Sequence, residues 1–106
     1  MSRRVAAIDC GTNSIRLLIA EEQSDGSLRD IARDMKIVRL GYGVDRTGRL
    51  DREAIERTLA ATREYARVIE GSAVEGVRFA ATSASRDAEN RAEFIDGVRD
   101  ILGIEP

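Results

Sequence analysis

Asp9, Cys10, Gly11, Thr12, Asn13, Ser14 and Arg16 crowd into one short stretch, "IDCGTNSIR", close to the start of the chain. Two kinds of phosphate chemistry fit these residue types. In the first, Gly11 lets a ligand approach the backbone and can take a positive φ, and a tight turn through Thr12, Asn13 and Ser14 aims successive N–H groups into one concavity. Asp9, at the end of a strand, could then hold a hydrated Mg2+ beside the bound phosphate, because Mg2+ keeps several waters and takes one or two carboxylates. In the second, Cys10 and Arg16 stand at C-x5-R spacing, so that a thiolate attacks phosphorus while the guanidinium grips the oxygens. An ordinary hairpin, with Asx and Ser/Thr side chains satisfying the turn, is a third reading that spacing alone leaves open. A second polar cluster, "ATSASRDAEN", carries Arg86, which could reach a polyanion near helix N-terminal amides or pair locally with Asp87 or Glu89.

What the chain lacks narrows these readings. It has no His and one Cys, which excludes the usual Zn, Cu, haem and Fe-S ligand sets, an internal disulfide, and Ser-His-Asp or Cys-His catalysis. Any metal is therefore a hard cation held by oxygen, such as Mg2+. A formal net charge of -2 provides no broad cationic surface, so nucleic acid is not an expected partner. The basic residues are arginines apart from Lys36, and each must be judged by position. No apolar run is long enough to cross a bilayer, and only four apolar residues separate Arg4 from Asp9, too few for a signal peptide. The expected setting is cytoplasmic, with no membrane partner. At 106 residues the chain reads as one small domain.

The elements that must position the polar clusters follow from periodicity and turn signals. Residues 3–9 place Val5, Ala7 and Asp9 on one side and Ala6, Ile8 and Cys10 on the other, all small or apolar but Asp9, as in a central strand. Residues 14–22 fit a strand or a helix by periodicity. The Asp25-Gly26 turn signal after them favours a strand that hairpins into "LRDIARDMKIVRL". "GYGVDRTGRL" reads as a loop leading to a helix of about twenty residues with Asp51 at its N-cap, a stripe of Ile55, Leu59, Thr62, Ala66 and Ile69, and a stop at Gly71. "VEGVRFAAT" supplies a fourth strand, with Val77, Phe79 and Ala81 alternating. A second helix follows, with Phe94, Ile95, Val98, Ile101 and Leu102 as its apolar face and Gly103 after it. The order β-β-β-α-β-α favours a parallel return of the fourth strand beside the first. "DCGTNS" and "TSASRD" then leave the sheet at related strand ends, where ligands of α/β sheets gather.

Together, "AIDCGTNSIRLLIA" and "ATSASRDAENRAEF" resemble the exopolyphosphatase and guanosine pentaphosphate phosphatase family, within the superfamily of acetate and sugar kinases, heat-shock chaperones and actin. The first motif is shared with the D-x-G-T loop of sugar kinases. The second, at its downstream distance, makes the pair specific. The resemblance spans essentially the whole chain and implies a ribonuclease H-like α/β half-domain, three antiparallel strands plus a parallel fourth. It also implies that Gly11, Thr12, Asn13, Ser14 and Arg86 bind phosphate, that Asp9 lies near a divalent cation such as Mg2+, and that water attacks the terminal phosphate of polyphosphate or guanosine pentaphosphate. It allows a homodimer for the intact protein.

The family's general-base Glu, in an S-G-x-E-E-A segment, and its second loop, D-x-G-G-G-S, do not occur in this sequence. The expectation is a first part of the N-terminal lobe, residues 1–106, with no catalytic residue of its own and no turnover in isolation; Glu105-Pro106 reads as the entry to another strand. The alternatives are a phosphate or guanosine-tetraphosphate binding module without catalysis and a sugar or acetate kinase lobe. A cysteine phosphatase resembling the low-molecular-weight tyrosine phosphatases is a further reading. Against it stand Leu17 after Arg16, a following strand where a helix belongs, and the lack of an Asp-Pro general acid.

Overall fold

The computed structural model describes residues 3–41, 48–81 and 89–104. Its elements run β1 (Arg3–Cys10), β2 (Ser14–Glu22), β3 (Leu28–Ile37), α1 (Arg52–Glu70), β4 (Gly76–Ala81) and α2 (Arg91–Leu102). The sheet order is β3-β2-β1-β4, with β1 antiparallel to β2, β2 antiparallel to β3, and β4 parallel to β1. Strand β1 is thus central, as its two small or apolar sides require.

The β2–β3 hairpin is made by its turn residues. Gly26 sits at φ 87, where a side chain would be strained, and Asp25 Oδ1 accepts from the Ser27 amide at 2.9 Å and the Ser27 hydroxyl at 2.6 Å. This turn settles residues 14–22 as strand, because a tight antiparallel return needs a strand on each side.

Both helices pack on one face of the sheet. That face carries Ala6, Ile8 and Cys10 from β1, Ile15, Leu17 and Ile19 from β2, and Phe79 from β4, all buried. Helix α1 faces them with Ile55, Ala61, Tyr65 and Ile69, and α2 with Phe94 and Val98. The buried stripe of α1 is Ala54, Ile55, Thr58, Ala61, Thr62, Tyr65 and Ile69, so it is rotated toward Thr58, Ala61 and Tyr65 relative to the expected one, with Leu59 and Ala66 at its margin. Two buried threonines are tolerable because Thr58 and Thr62 donate their hydroxyls to the carbonyls one turn back, both at 2.8 Å. Tyr65 sits deep in the core and donates its hydroxyl to the Ile15 carbonyl at 3.2 Å.

Asp51 occupies the N-cap of α1 with extended dihedrals, but its side chain makes no capping bond; its carbonyl accepts the first helical bond, from Ile55, at 2.9 Å. Gly103 ends α2 in the left-handed conformation at φ 72, with its N–H on the Arg99 carbonyl.

Strand β3 ends at Ile37, three residues before the expected limit. Val38 and Leu40 are buried as irregular chain.

Candidate phosphate-binding site

The end of β1 divides its two reactive side chains between opposite faces of the sheet. Cys10 points into the helix-packed core and is fully buried. Arg16 stands directly opposite Asp9 in the β1–β2 register, and both are exposed on the face the helices leave open. Directly opposed residues in an antiparallel pair share a face, and adjacent ones do not. Cys10 and Arg16 therefore cannot close around one phosphate, and the thiol-nucleophile reading fails on geometry. Burial, with the Asp9 charge adding to it, pushes the Cys10 thiol up to about 12. At neutral pH it is protonated and unreactive.

The loop between the strands is tied down from two directions. The Gly11 amide donates to the Ser14 carbonyl at 2.8 Å, and Gly11 does not take a positive φ, so its value here is tight turning rather than left-handed backbone. The Asn13 carbonyl accepts from the amides of Val38 (2.9 Å) and Arg39 (3.0 Å), and the Thr12 carbonyl accepts from Gly41 (2.9 Å). Arg39 holds a left-handed φ of 51 in making this approach. A Cβ on Gly41 would collide with the Thr12 methyl, so any larger residue there has to displace the Thr12 side chain. Residues 38–41 thus bind the carbonyl side of the loop. The amides of Thr12 and Asn13 meet no acceptor among the described residues, and both residues are exposed. Gly11, the amides of Thr12 and Asn13, and the half-buried Ser14 form a polar rim at the strand end, with one internal bond where a fully open amide nest was expected.

The second cluster begins beside the first. In the parallel β1–β4 register Cys10 pairs with Ala81, so the chain enters "TSASRDAEN" next to the point where β1 enters its loop. Arg86 lies outside the described residues. At the far end of the cluster, Asn90 accepts from the Leu50 amide at 2.7 Å and donates to the Leu50 carbonyl at 3.0 Å, and the Glu89 amide donates to the Gly48 carbonyl at 2.9 Å. Asn90 pins the entry of α1 against the entry of α2. Sequence reasoning quoted this residue without a role. An amide side chain that can both donate and accept, placed just before a helix, was the available signal.

Asp9 borders an open groove of about 680 Å3 with Ala7, Arg16, Leu18, Arg33 and Met35. No cluster of three or more acidic, Cys or His residues exists among the described residues. Asp34 also borders the groove, so a cation here has at most two carboxylates from the described residues, which suits a hydrated hard ion shared with phosphate oxygens and no preformed cage.

Known proteins share this sequence and fold. Residues 18–105 match the model of the Ppx/GppA phosphatase family. The chain belongs to that family. The exopolyphosphatase 2 of Mycobacterium tuberculosis is 53% identical over 103 residues, covering 94% of this chain and 32% of that protein. A crystal structure of the Aquifex aeolicus Ppx/GppA family member superimposes with a TM-score of 0.93 at 40% identity, over 99% of this chain and 34% of that one. A bifunctional 3-dehydroquinate synthase/phosphatase of Fusobacterium nucleatum is 43% identical over 101 residues, covering 90% of this chain and 15% of that protein. The chain therefore spans about a third of the length of the first two relatives. Three antiparallel strands and a parallel fourth, with helices, make up the actin-like fold of this family, as the motifs implied. Family membership takes the weight from the sugar or acetate kinase reading. No helix among the described residues is long and apolar enough to cross a membrane.

Proposed function

We propose that this chain supplies the first phosphate-binding loop of a phosphoanhydride hydrolase, one that releases terminal phosphate from inorganic polyphosphate or guanosine pentaphosphate. The observation that carries the reading is the parallel register of Cys10 with Ala81, which brings the loop of residues 11–14 and the start of the Arg86 cluster to one strand end. Amides of Thr12 and Asn13 and the Ser14 hydroxyl offer donors to phosphate oxygens, and Arg86 adds a bidentate cation from the neighbouring connection. Asp9 is placed to hold Mg2+ through its water shell, and Mg2+, when bound, offsets charge on the phosphoryl oxygens. The setting is cytoplasmic in this reading.

The general-base Glu and the second glycine-rich loop of the family have no counterpart in the sequence, so the chain by itself grips phosphate without turning it over. Its role in isolation is that of a binding element.

Calorimetric titration with tripolyphosphate tests this. Binding should strengthen with added Mg2+, and Asp9→Asn should remove most of the Mg2+ dependence while leaving the Mg2+-free affinity within about twofold. Arg86→Ala should weaken binding about tenfold or more, as expected for loss of a charge-assisted pair. Binding that is indifferent to Asn at position 9 would sink the metal role, and steady phosphate release by the wild-type chain would sink the division of labour.

A further inference from the structure

Strand β3 is an edge strand ten residues long and exposed almost throughout, with Leu28 65% and Met35 51% accessible. A free edge of that length is a template for another strand, and proteins usually blunt such edges with charges. Here the charges do the opposite of blunting, because the sequence "LRDIARDM" is complementary to its own reverse. If two copies run antiparallel about a two-fold axis between Ile31 and Ala32, Leu28 falls opposite Met35, Arg29 opposite Asp34, Asp30 opposite Arg33, and Ile31 opposite Ala32. Every opposed pair is then apolar on apolar or Arg on Asp.

Such a register has an odd offset, which a regular strand would forbid: opposed residues must share a face, and Leu28 and Met35 would lie on different ones. The bulge in β3 removes the conflict. Ala20 pairs with Asp30 and Ile19 with Ala32, leaving Ile31 as an extra residue. Asp30 therefore lies on the same face as Arg33, as their 3.5 Å ion pair within one chain shows. By the same step Leu28 joins Met35 on the open face and Arg29 joins Asp34 on the helix-packed face.

We infer that β3 is a self-association edge: two copies of this chain pair through Leu28–Met35 into one continuous eight-stranded sheet about a two-fold axis. The contact is isologous, so it closes at a dimer and does not propagate through this edge. Backbone ladder bonds supply affinity, and the Arg–Asp alternation fixes register.

Sedimentation equilibrium of the chain over a wide concentration range reads this directly. Wild type should show a concentration-dependent monomer–dimer equilibrium. Arg33→Asp sets carboxylate against carboxylate twice per dimer, and Asp30→Arg sets guanidinium against guanidinium; each variant alone should dimerise roughly tenfold more weakly. An equimolar mixture of the two should recover dimer, as should the double variant Asp30→Arg/Arg33→Asp. Recovery in the mixture cannot arise from a change within one chain, and circular dichroism of each variant shows whether it has folded. A wild type that stays monomeric throughout, variants that dimerise undiminished, or a mixture that stays monomeric would each overturn the inference.

Discussion

Cys10 shows how one side chain can be misread by its neighbours in sequence and placed by its neighbours in space. Its position in C-x5-R suggested a nucleophile, yet strand alternation sends it into the core and Arg16 to the other face. Its buried thiol has a testable consequence. The unfolded thiol ionises near pH 9 and the folded one at about 12. Between those values the folded chain holds a proton that the unfolded chain releases, so stability falls as pH rises, by about 1.4 kcal/mol for each unit in the window. Urea unfolding from pH 9 to 11 should show a steeper fall with pH in wild type than in Cys10→Ala. Equal slopes would mean that the thiol does not titrate as its burial requires. The alternation of Cys10 and Asp9 was legible in the sequence. The deciding fact, that helices cover one face only, was not, because both sides of β1 are small or apolar.

The secondary-structure elements were legible where their ends carry backbone chemistry: Asp25-Gly26 fixed a hairpin and Gly103 a helix end. Helix α1 was legible in extent and less so in orientation. Thr58, Ala61 and Tyr65 are buried, and nothing in their polarity announced it; a hydroxyl that bonds its own helix backbone is cheap to bury. Close approach between elements was not legible either, since it depends on which glycine meets which side chain. A Cβ on Gly97 would lie 2.6 Å from the Leu59 Cδ1, so an alanine there needs the half-buried Leu59 side chain to move aside. Gly97→Ala should therefore fall short of the roughly 1 kcal/mol that alanine gains over glycine within a helix, the difference being the cost of shifting Leu59. Gly41→Ala should be felt at the loop instead: it pushes Thr12 away, and tripolyphosphate affinity should fall by more than stability does. Chemical denaturation of both variants beside calorimetry of the second checks the contrast, and an unaltered affinity in Gly41→Ala would show that the 38–41 segment does not hold the loop in its binding shape.

Among the described residues the molecule is a single sheet with helices on one face, and the strand ends that lead into its two polar clusters are neighbours by topology rather than by sequence proximity. The parallel return of β4 was inferable from the helix between β3 and β4, and it sets the strand ends from which the two clusters leave side by side, as expected. The Asn90 bridge to Leu50 was not inferable, because it links residues forty positions apart. Asn90→Ala leaves the Leu50 amide and carbonyl without partners and should destabilise the whole chain by about 1–3 kcal/mol, seen as a lower thermal midpoint. Asn90→Asp keeps the acceptor for the Leu50 amide and should recover part of the loss. If Ala and Asp behave alike, the bridge is not the fastening described.

The bonds from Val38, Arg39 and Gly41 to the carbonyls of Thr12 and Asn13 also bear on entropy. A short polar loop usually freezes when an ion arrives, and the ordering weakens the complex. Here folding itself fixes the loop, part of the cost falling on the left-handed Arg39. An arriving anion would meet amide dipoles already held still, so its affinity should depend little on loop freezing and strongly on how well its oxygens match those fixed directions.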